Sequence, residues 1–331
     1  MTGVDFDHLD LERFSPLGEA PLLVIDADGD AAPYRDANAI VVGVDRAGAL
    51  PALAGDDFDI LLTSARCPPR PWIGAPLAQL DAKIESFRRA ATRTPFAASV
   101  LRQTLRINAS LPAEQALLVE SFAYSTLLAG AEFRAWRATA TAQSCAPVGS
   151  PLRVARAGDH VTITLAAPQT RNSMSAAMRD ALFDALAAVL DDPTAPSVTL
   201  RGEGACFSIG GDLAEFGANQ DQAQAHAIRT MRSIAALVLE LGDRIGVVFH
   251  GACIGSGLEA PAAAARRDAT PGAFFQLPES RMGLIPGAGG TVTVPRAIGR
   301  HRACAMMLGS ARVSAATALE WGLVHAIEPA S

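Results

Sequence analysis

Gly251-Ala252-Cys253-Ile254-Gly255-Ser256-Gly257-Leu258-Glu259 is the stretch on which the fold reading turns. It follows an apolar run, Ile245 to His250, that reads as a strand, and it opens a segment from Ser256 to Arg267 that reads as a helix. The glycines allow a sharp corner, and the free N–H groups of such a corner coincide with the positive end of the helix dipole. Anion stabilisation is the natural use of that geometry. A second use stays open: Gly255, Gly257 and Ala260 have the G-x-G-x-x-A spacing of a dinucleotide turn, with Glu279 about 20 residues on. A dinucleotide fold would place the turn at the start of a repeated βαβ array, whereas here a hairpin and two helices precede it.

Upstream lies Cys206-Phe207-Ser208-Ile209-Gly210-Gly211-Asp212-Leu213, another strand-to-helix corner whose paired glycines can turn backbone N–H groups toward a ligand. The plain structural reading is a turn with Asp212 as helix cap. Downstream come Phe275-Gln276-Leu277-Pro278-Glu279 and then Gly283-Leu284-Ile285-Pro286-Gly287-Ala288-Gly289-Gly290-Thr291. A phosphate loop would need Lys after the last glycine, and the only lysine of the chain is Lys83.

Around these motifs strand and helix alternate. Leu152 to Ala166 reads as a hairpin about Gly158-Asp159, Ser175 to Leu190 as a helix burying Met178, Leu182, Phe183, Leu186 and Val189, and Ser197 to Arg201 as a strand. Asp221 to Leu241 reads as one long helix, and Ala273 to Leu277 as a short strand. The class is α/β with a largely buried sheet. Nearer the start, Pro21 to Ala27, Asn38 to Val44 and Asp59 to Thr63 are strand-like, and Pro68, Pro69 and Pro71 break the pattern. Helical periodicity then runs from about Leu80 to Ala138, with Pro95 and Pro112 where first turns tolerate proline. The small, polar stretch Thr139 to Ser150 reads as a connector. Two regions are therefore expected: an N-terminal α/β and helical region, 1–140, with helices about 80–138, and a catalytic core, 150–331.

The chain has 331 residues, half of them hydrophobic, which suffices for one large domain or two smaller ones. A net charge of −6 offers no attraction to nucleic acid or to an anionic membrane. The acidic start, with Asp5, Asp7, Asp10 and Glu12, is unlike an export signal, and no run reaches the length of a membrane span. Cys67, Cys145, Cys206, Cys253 and Cys304 are scattered singly and read as buried thiols of a cytoplasmic protein, neither a disulfide framework nor a zinc site. The six histidines lack metal-ligand spacing, so no metal is expected, and Ile254 stands where a serine-hydrolase elbow would need glycine.

Taken in order, the three Gly-rich segments resemble the crotonase (enoyl-CoA hydratase/isomerase) superfamily over roughly Leu152 to Glu328. The resemblance implies a ββα spiral core and an oxyanion hole in which backbone N–H groups of Gly211 and Ser256 hold a thioester enolate. It implies a catalytic pair, Glu259 and Glu279, flanking a water as in the hydratases, and substrate contacts at Ser208, Ile209, Gly210, Gly255, Pro286 and Gly287. The activity implied is hydration of 2-enoyl-CoA or the reverse dehydration, within fatty acid metabolism. No cofactor is implied beyond the coenzyme A of the acyl-CoA substrate, and assembly as a homo-oligomer, a trimer or a dimer of trimers, follows the family. Other enolate reactions, double-bond isomerisation or cofactor-free oxygenation, stay open. So do two different classes: a nicotinamide-dependent oxidoreductase and a non-catalytic acyl-CoA-binding protein.

Two departures from the pattern stand out. Ser256 occupies what is usually glycine in the family, which leaves the N–H but adds a side chain near the acyl carbonyl. The sequence also stops at Ser331, after Leu323-Val324-His325-Ala326-Ile327, where family members usually continue into helices that close the site. Thr94 to Trp136 looks like that helical segment, which suggests that the cap is supplied from upstream, by circular permutation or by a duplicated and eroded module. Asp59 to Ser64 faintly echoes Ser197 to Gly202. Arg102 and Arg106, one helical turn apart, read as solvated surface arginines rather than as phosphate ligands.

Overall fold

Apolar and β-branched runs build the first sheet. The computed structural model describes residues 12–29, 37–53, 57–140, 149–218 and 221–328. β1 (Leu22–Asp26), β2 (Ile40–Asp45), β3 (Ile60–Thr63) and β4 (Ile73–Gly74) lie side by side in that order, each neighbouring pair parallel. β2 and β3 are buried at every position, as expected of strands covered on both faces. Four helices follow: α1 (Leu77–Arg93), α2 (Pro95–Asn108), α3 (Ala113–Leu128) and α4 (Ala131–Thr139). Pro95 takes the first position of α2, where its missing N–H costs nothing.

The second half opens with the expected hairpin, β5 (Leu152–Ala157) and β6 (His160–Leu165), paired antiparallel. α5 (Ala176–Leu190), capped by the Ser175 side chain, leads to β7 (Ser197–Gly202). The single helix expected over Asp221 to Leu241 is two, α6 (Gln222–Met231) and α7 (Ile234–Leu241). Arg232 leaves helical geometry and the Ser233 side chain caps the second. β8 (Ile245–Phe249) and β9 (Ala252–Ile254) flank the first turn of the Gly-rich loop, and α8 (Ser256–Glu259) begins directly after it. The long helix expected from Ser256 to Arg267 is a further correction: Pro261 starts a separate 3-10 turn, and Arg266–Ala269 forms β10.

β11 (Phe274–Gln276), α9 (Gly290–Ile298), α10 (Arg300–Gly309), β12 (Val313–Ser314), α11 (Ala315–Trp321) and β13 (Ala326–Ile327) complete the described elements. A six-stranded sheet has the order β13-β10-β8-β7-β6-β5, parallel except for the hairpin, and a small sheet has the order β12-β11-β9. Strand and helix layers of this kind make an α/β fold with a largely parallel central sheet.

One hydrophobic core runs through both halves, from Leu22, Ile40 and Ile60 through Leu101 and Phe133 to Ile163, Phe249 and Met307. Polar ties cross the same interface. Thr94 Oγ1 donates to the Ser280 carbonyl at 2.9 Å, and the Arg302 guanidinium donates to the carbonyls of Trp72 and Pro68 at 3.1 and 3.0 Å. Arg102 and Arg106 are not solvated surface groups: both donate to the buried carboxylate of Asp59, at 3.1 and 2.7 Å, and Arg300 approaches it at 3.4 Å. Cys206, Cys253 and Cys304 are buried, but Cys67 is exposed, contrary to expectation, because it lies in the Pro-rich break before β4. Cys145, the acidic residues Asp5, Asp7 and Asp10, and most of the connector lie outside the described residues. Among the described residues no helix is long and apolar enough to cross a membrane.

Candidate active site

Two loops meet because their backbones are laced together. Phe207 N–H donates to the His250 carbonyl at 2.8 Å, Ser208 N–H to Ala252 at 3.1 Å, and Ile254 N–H returns to Ser208 at 3.0 Å. The Asn172 amide donates to the carbonyls of Glu203, Cys206 and Phe207, fixing the bend before Gly210. Gly255 has φ +52°, a conformation that favours glycine, and a Cβ there would lie 3.7 Å from Gly210 Cα. The following residues on each loop, Gly211 and Ser256, both line one cavity. Their N–H groups have no protein acceptor among the described residues.

The same closeness gathers the carboxylates. A methyl group on Gly255 would lie 2.8 Å from Glu279 Oε1 and 4.0 Å from Glu259 Oε1, so the pair converges on this one residue. Glu259 is 3% exposed and Glu279 5%, and both border the cavity. Glu259 Oε2 accepts from the N–H of Ala288 at 2.7 Å and of Gly290 at 3.2 Å. Glu279 Oε2 and Ser256 Oγ are buried without hydrogen-bond partners. Burial, and then the charges of Glu279 and Glu120, push the Glu259 carboxyl well above its usual range, opposed by the two amides. Burial likewise raises Glu279, to about 8. The two amides favour the charged form of Glu259, whereas Glu279 Oε2 has no such donor.

Two further residues at the site are absent from the sequence reading, and both come from α3. Glu120, 2% exposed, accepts from Gly289 N–H at 2.6 Å and from the N–H and hydroxyl of Thr291, each at 2.7 Å. Its signal in the sequence is a carboxylate on the buried stripe Ala116, Glu120, Leu127. Tyr124 packs its ring against Gly287, where an added Cβ would sit 2.5 Å from Cδ2. Arg229 stacks on that ring at 4.8 Å and donates to the Ser121 and Ser125 hydroxyls. Thr94 to Trp136 is therefore packed against Glu259 and Glu279, as a site cap must be.

The cavity measures about 1060 Å³, and its wall includes Leu117, Leu118, Leu128, Leu182 and Leu239. Of the six residues expected to contact substrate, Gly287 lines it, whereas Ser208, Ile209, Gly210, Gly255 and Pro286 do not. Ser208 is engaged internally: its hydroxyl donates to the Asn172 carbonyl at 2.7 Å and accepts from Gly210 N–H at 3.1 Å. A nicotinamide dinucleotide on Gly255 and Gly257 meets the same obstacle. A Cβ on Gly257 would lie 2.6 Å from the Ser208 side chain, and Glu279 fills the space over Gly255. Among the described residues no group of three or more His, Cys, Asp or Glu side chains is disposed to hold a metal ion.

A buried carboxylate pair beside two unengaged amides, at the wall of a largely apolar cavity, is an arrangement able to exchange protons with a bound ligand. Comparison with known proteins gives the arrangement its family. The enoyl-CoA hydratase/isomerase model matches residues 158–331. The Bacillus subtilis protein YngF, whose name places it among the enoyl-CoA hydratases/isomerases, is 35% identical over 164 residues, 49% of this chain and 63% of its own length. The fatty acid oxidation complex subunit alpha of a Shewanella species is 31% identical over 165 residues, 49% of this chain and 23% of its own. The chain thus spans less than two thirds of these relatives. The crystal structure of an enoyl-CoA hydratase from Thermoplasma volcanium superposes with a TM-score of 0.50 at 29% identity, covering 55% of this chain and 73% of that one. The chain belongs to the enoyl-CoA hydratase/isomerase family, the crotonase superfamily.

Proposed function

We propose that the protein adds water across the double bond of a 2-enoyl-CoA thioester, or removes it in reverse. The observation that carries this reading is the convergence of Glu259 and Glu279 on Gly255, next to the free N–H groups of Gly211 and Ser256. In the hydration direction the thioester oxygen accepts from those two amides, which hold the enolate charge as it develops; donors of this kind contribute about 3–4 kcal/mol each. Glu259, as carboxylate, takes a proton from water while the water oxygen bonds to the β-carbon. Glu279, as neutral acid, gives its proton to the α-carbon, and one proton passing from Glu259 to Glu279 restores the start. The unpartnered Glu279 Oε2 suits a group that must be neutral and must reach substrate.

The apolar wall favours acyl groups larger than crotonyl. Turnover across a panel of enoyl-CoA thioesters of graded length and aromaticity, followed by loss of enoyl absorbance, tests the proposal. Hydration requires consumption of at least one 2-enoyl-CoA. Activity confined to 3-enoyl-CoA would mean double-bond isomerisation, for which one carboxylate suffices, and turnover only with oxygen would mean oxygenation. Binding without turnover would make the chain an acyl-CoA carrier. Cytoplasmic action and assembly as a trimer belong to the same proposal, the latter measured by light scattering.

A further inference from the structure

The turn into α9 is gripped from two sides by carboxylates that take alternate amides. Ala288 and Gly290 point their N–H groups to Glu259, and Gly289 and Thr291 point theirs to Glu120. Gly289, with φ +105°, turns the chain into α9, so the amides of Ala288 and Gly290 face Glu259 while those of Gly289 and Thr291 face Glu120, and holding one pair restrains the other. Glu120 reaches the loop from α3, and the Thr291 hydroxyl, which also donates to it, accepts from Asn108 of α2 at 3.2 Å. No other carboxylate oxygen accepts from Gly289 or Thr291 among the described residues.

We infer that Glu120 is a positioning residue for the reaction: by holding Gly289 and Thr291 it aims the Ala288 and Gly290 amides at Glu259 and so fixes the orientation and charge of that base. The inference rests on the acid/base role of Glu259. It makes the N-terminal helices part of the catalytic apparatus rather than a lid, because α3 supplies the carboxylate that takes the Gly289 and Thr291 amides. The groups facing Glu259 are Glu279, Glu120 and Tyr124, and Arg229 faces Glu120 from α6. Glu120 is raised to about 7 by burial, against the pull of Thr291, Gly289 and Arg229.

Glu120→Gln keeps the size but turns an NH2 group toward an N–H donor, so one side of the grip is lost. Carbon-13 NMR of the labelled glutamate carboxyls, assigned with Glu259→Gln and Glu279→Gln, reads the effect without turnover. Loosened amides raise the apparent pKa of Glu259. A role through charge alone lowers it, since a negative neighbour is removed, and that result or no shift overturns the inference. With an active substrate from the panel, kcat should fall about a hundredfold, the cost of roughly ångström misplacement, with KM changed less than threefold. Thr291→Val removes one donor to Glu120 and should move both readouts the same way by a smaller factor, which guards against a Glu120→Gln protein that fails to fold. If the unaltered protein turns over no enoyl-CoA, the hydration reading fails, while the NMR arm still decides the positioning role.

Discussion

The two halves carry the same strand arrangement and use it differently. β1, β2, β3 and β4 are all parallel and in order, and so are β7, β8, β10 and β13; each set ends in a two-residue strand. After β2 the turn closes on itself: the Asp45 carboxylate accepts from the N–H of Ala49 at 3.1 Å, of Leu50 at 2.9 Å and from the Thr63 hydroxyl at 2.7 Å. After β8 the corresponding turn leaves the Ser256 N–H, Ser256 Oγ and Glu279 Oε2 unpartnered at the wall of a cavity. Buried polar groups are normally satisfied, so the groups left open together after β8 mark this turn as a candidate ligand site. The first half contributes structure, and through α3 it reaches into the second.

The sharpest way to break this contrast is Glu279→Gln. Turnover should fall by about 10²–10⁴-fold while circular dichroism and cooperative unfolding persist, because only the proton donor is lost. In the first half, Asp59→Ala should do the reverse. It removes the carboxylate shared by Arg102, Arg106 and Arg300 and should lower unfolding free energy in urea by about 3–5 kcal/mol, with the activity of the folded fraction retained. Gly287→Ala probes the seam. The new methyl meets the Tyr124 ring, so a loss of about 1–3 kcal/mol and a raised KM are expected together.

A last prediction concerns pH. Glu279 titrates at about 8 when folded against 4.5 as a model group, so between those values the native state holds a proton that the unfolded chain has lost. Its contribution to stability is full below about 4.5 and fades as pH climbs to about 8. The melting temperature of the protein minus that of Glu279→Gln should therefore decrease over that range. A difference that grows with pH would reverse the assigned direction.

The Gly-rich corners and the Pro-Glu motif were legible in sequence because each is local: the segments that build the turns also carry Gly211, Ser256, Glu259 and Glu279 to the cavity wall. The helix expected from Ser256 to Arg267 was not, since its alanines suit either state and Pro261 and sheet pairing decide between them. Arg267, at the end of that expected helix, is buried, and its guanidinium donates to the carbonyls of Ala264, Gly322 and Leu323. Glu120 escaped for a different reason: its acceptor role joins residues 169 and 171 positions apart, and no local pattern encodes such a pairing. Arg102 and Arg106 likewise read as a solvated face because Asp59 lies more than 40 positions away.

One oxygen atom decides whether Gly211 and Ser256 form an oxyanion hole. In a crystal structure with a non-reactive acyl-CoA, the thioester oxygen should lie within hydrogen-bond reach of both Gly211 N and Ser256 N, with the α- and β-carbons between Glu279 and Glu259. An acyl group seated elsewhere, or a thioester oxygen turned away from those amides, would contradict it.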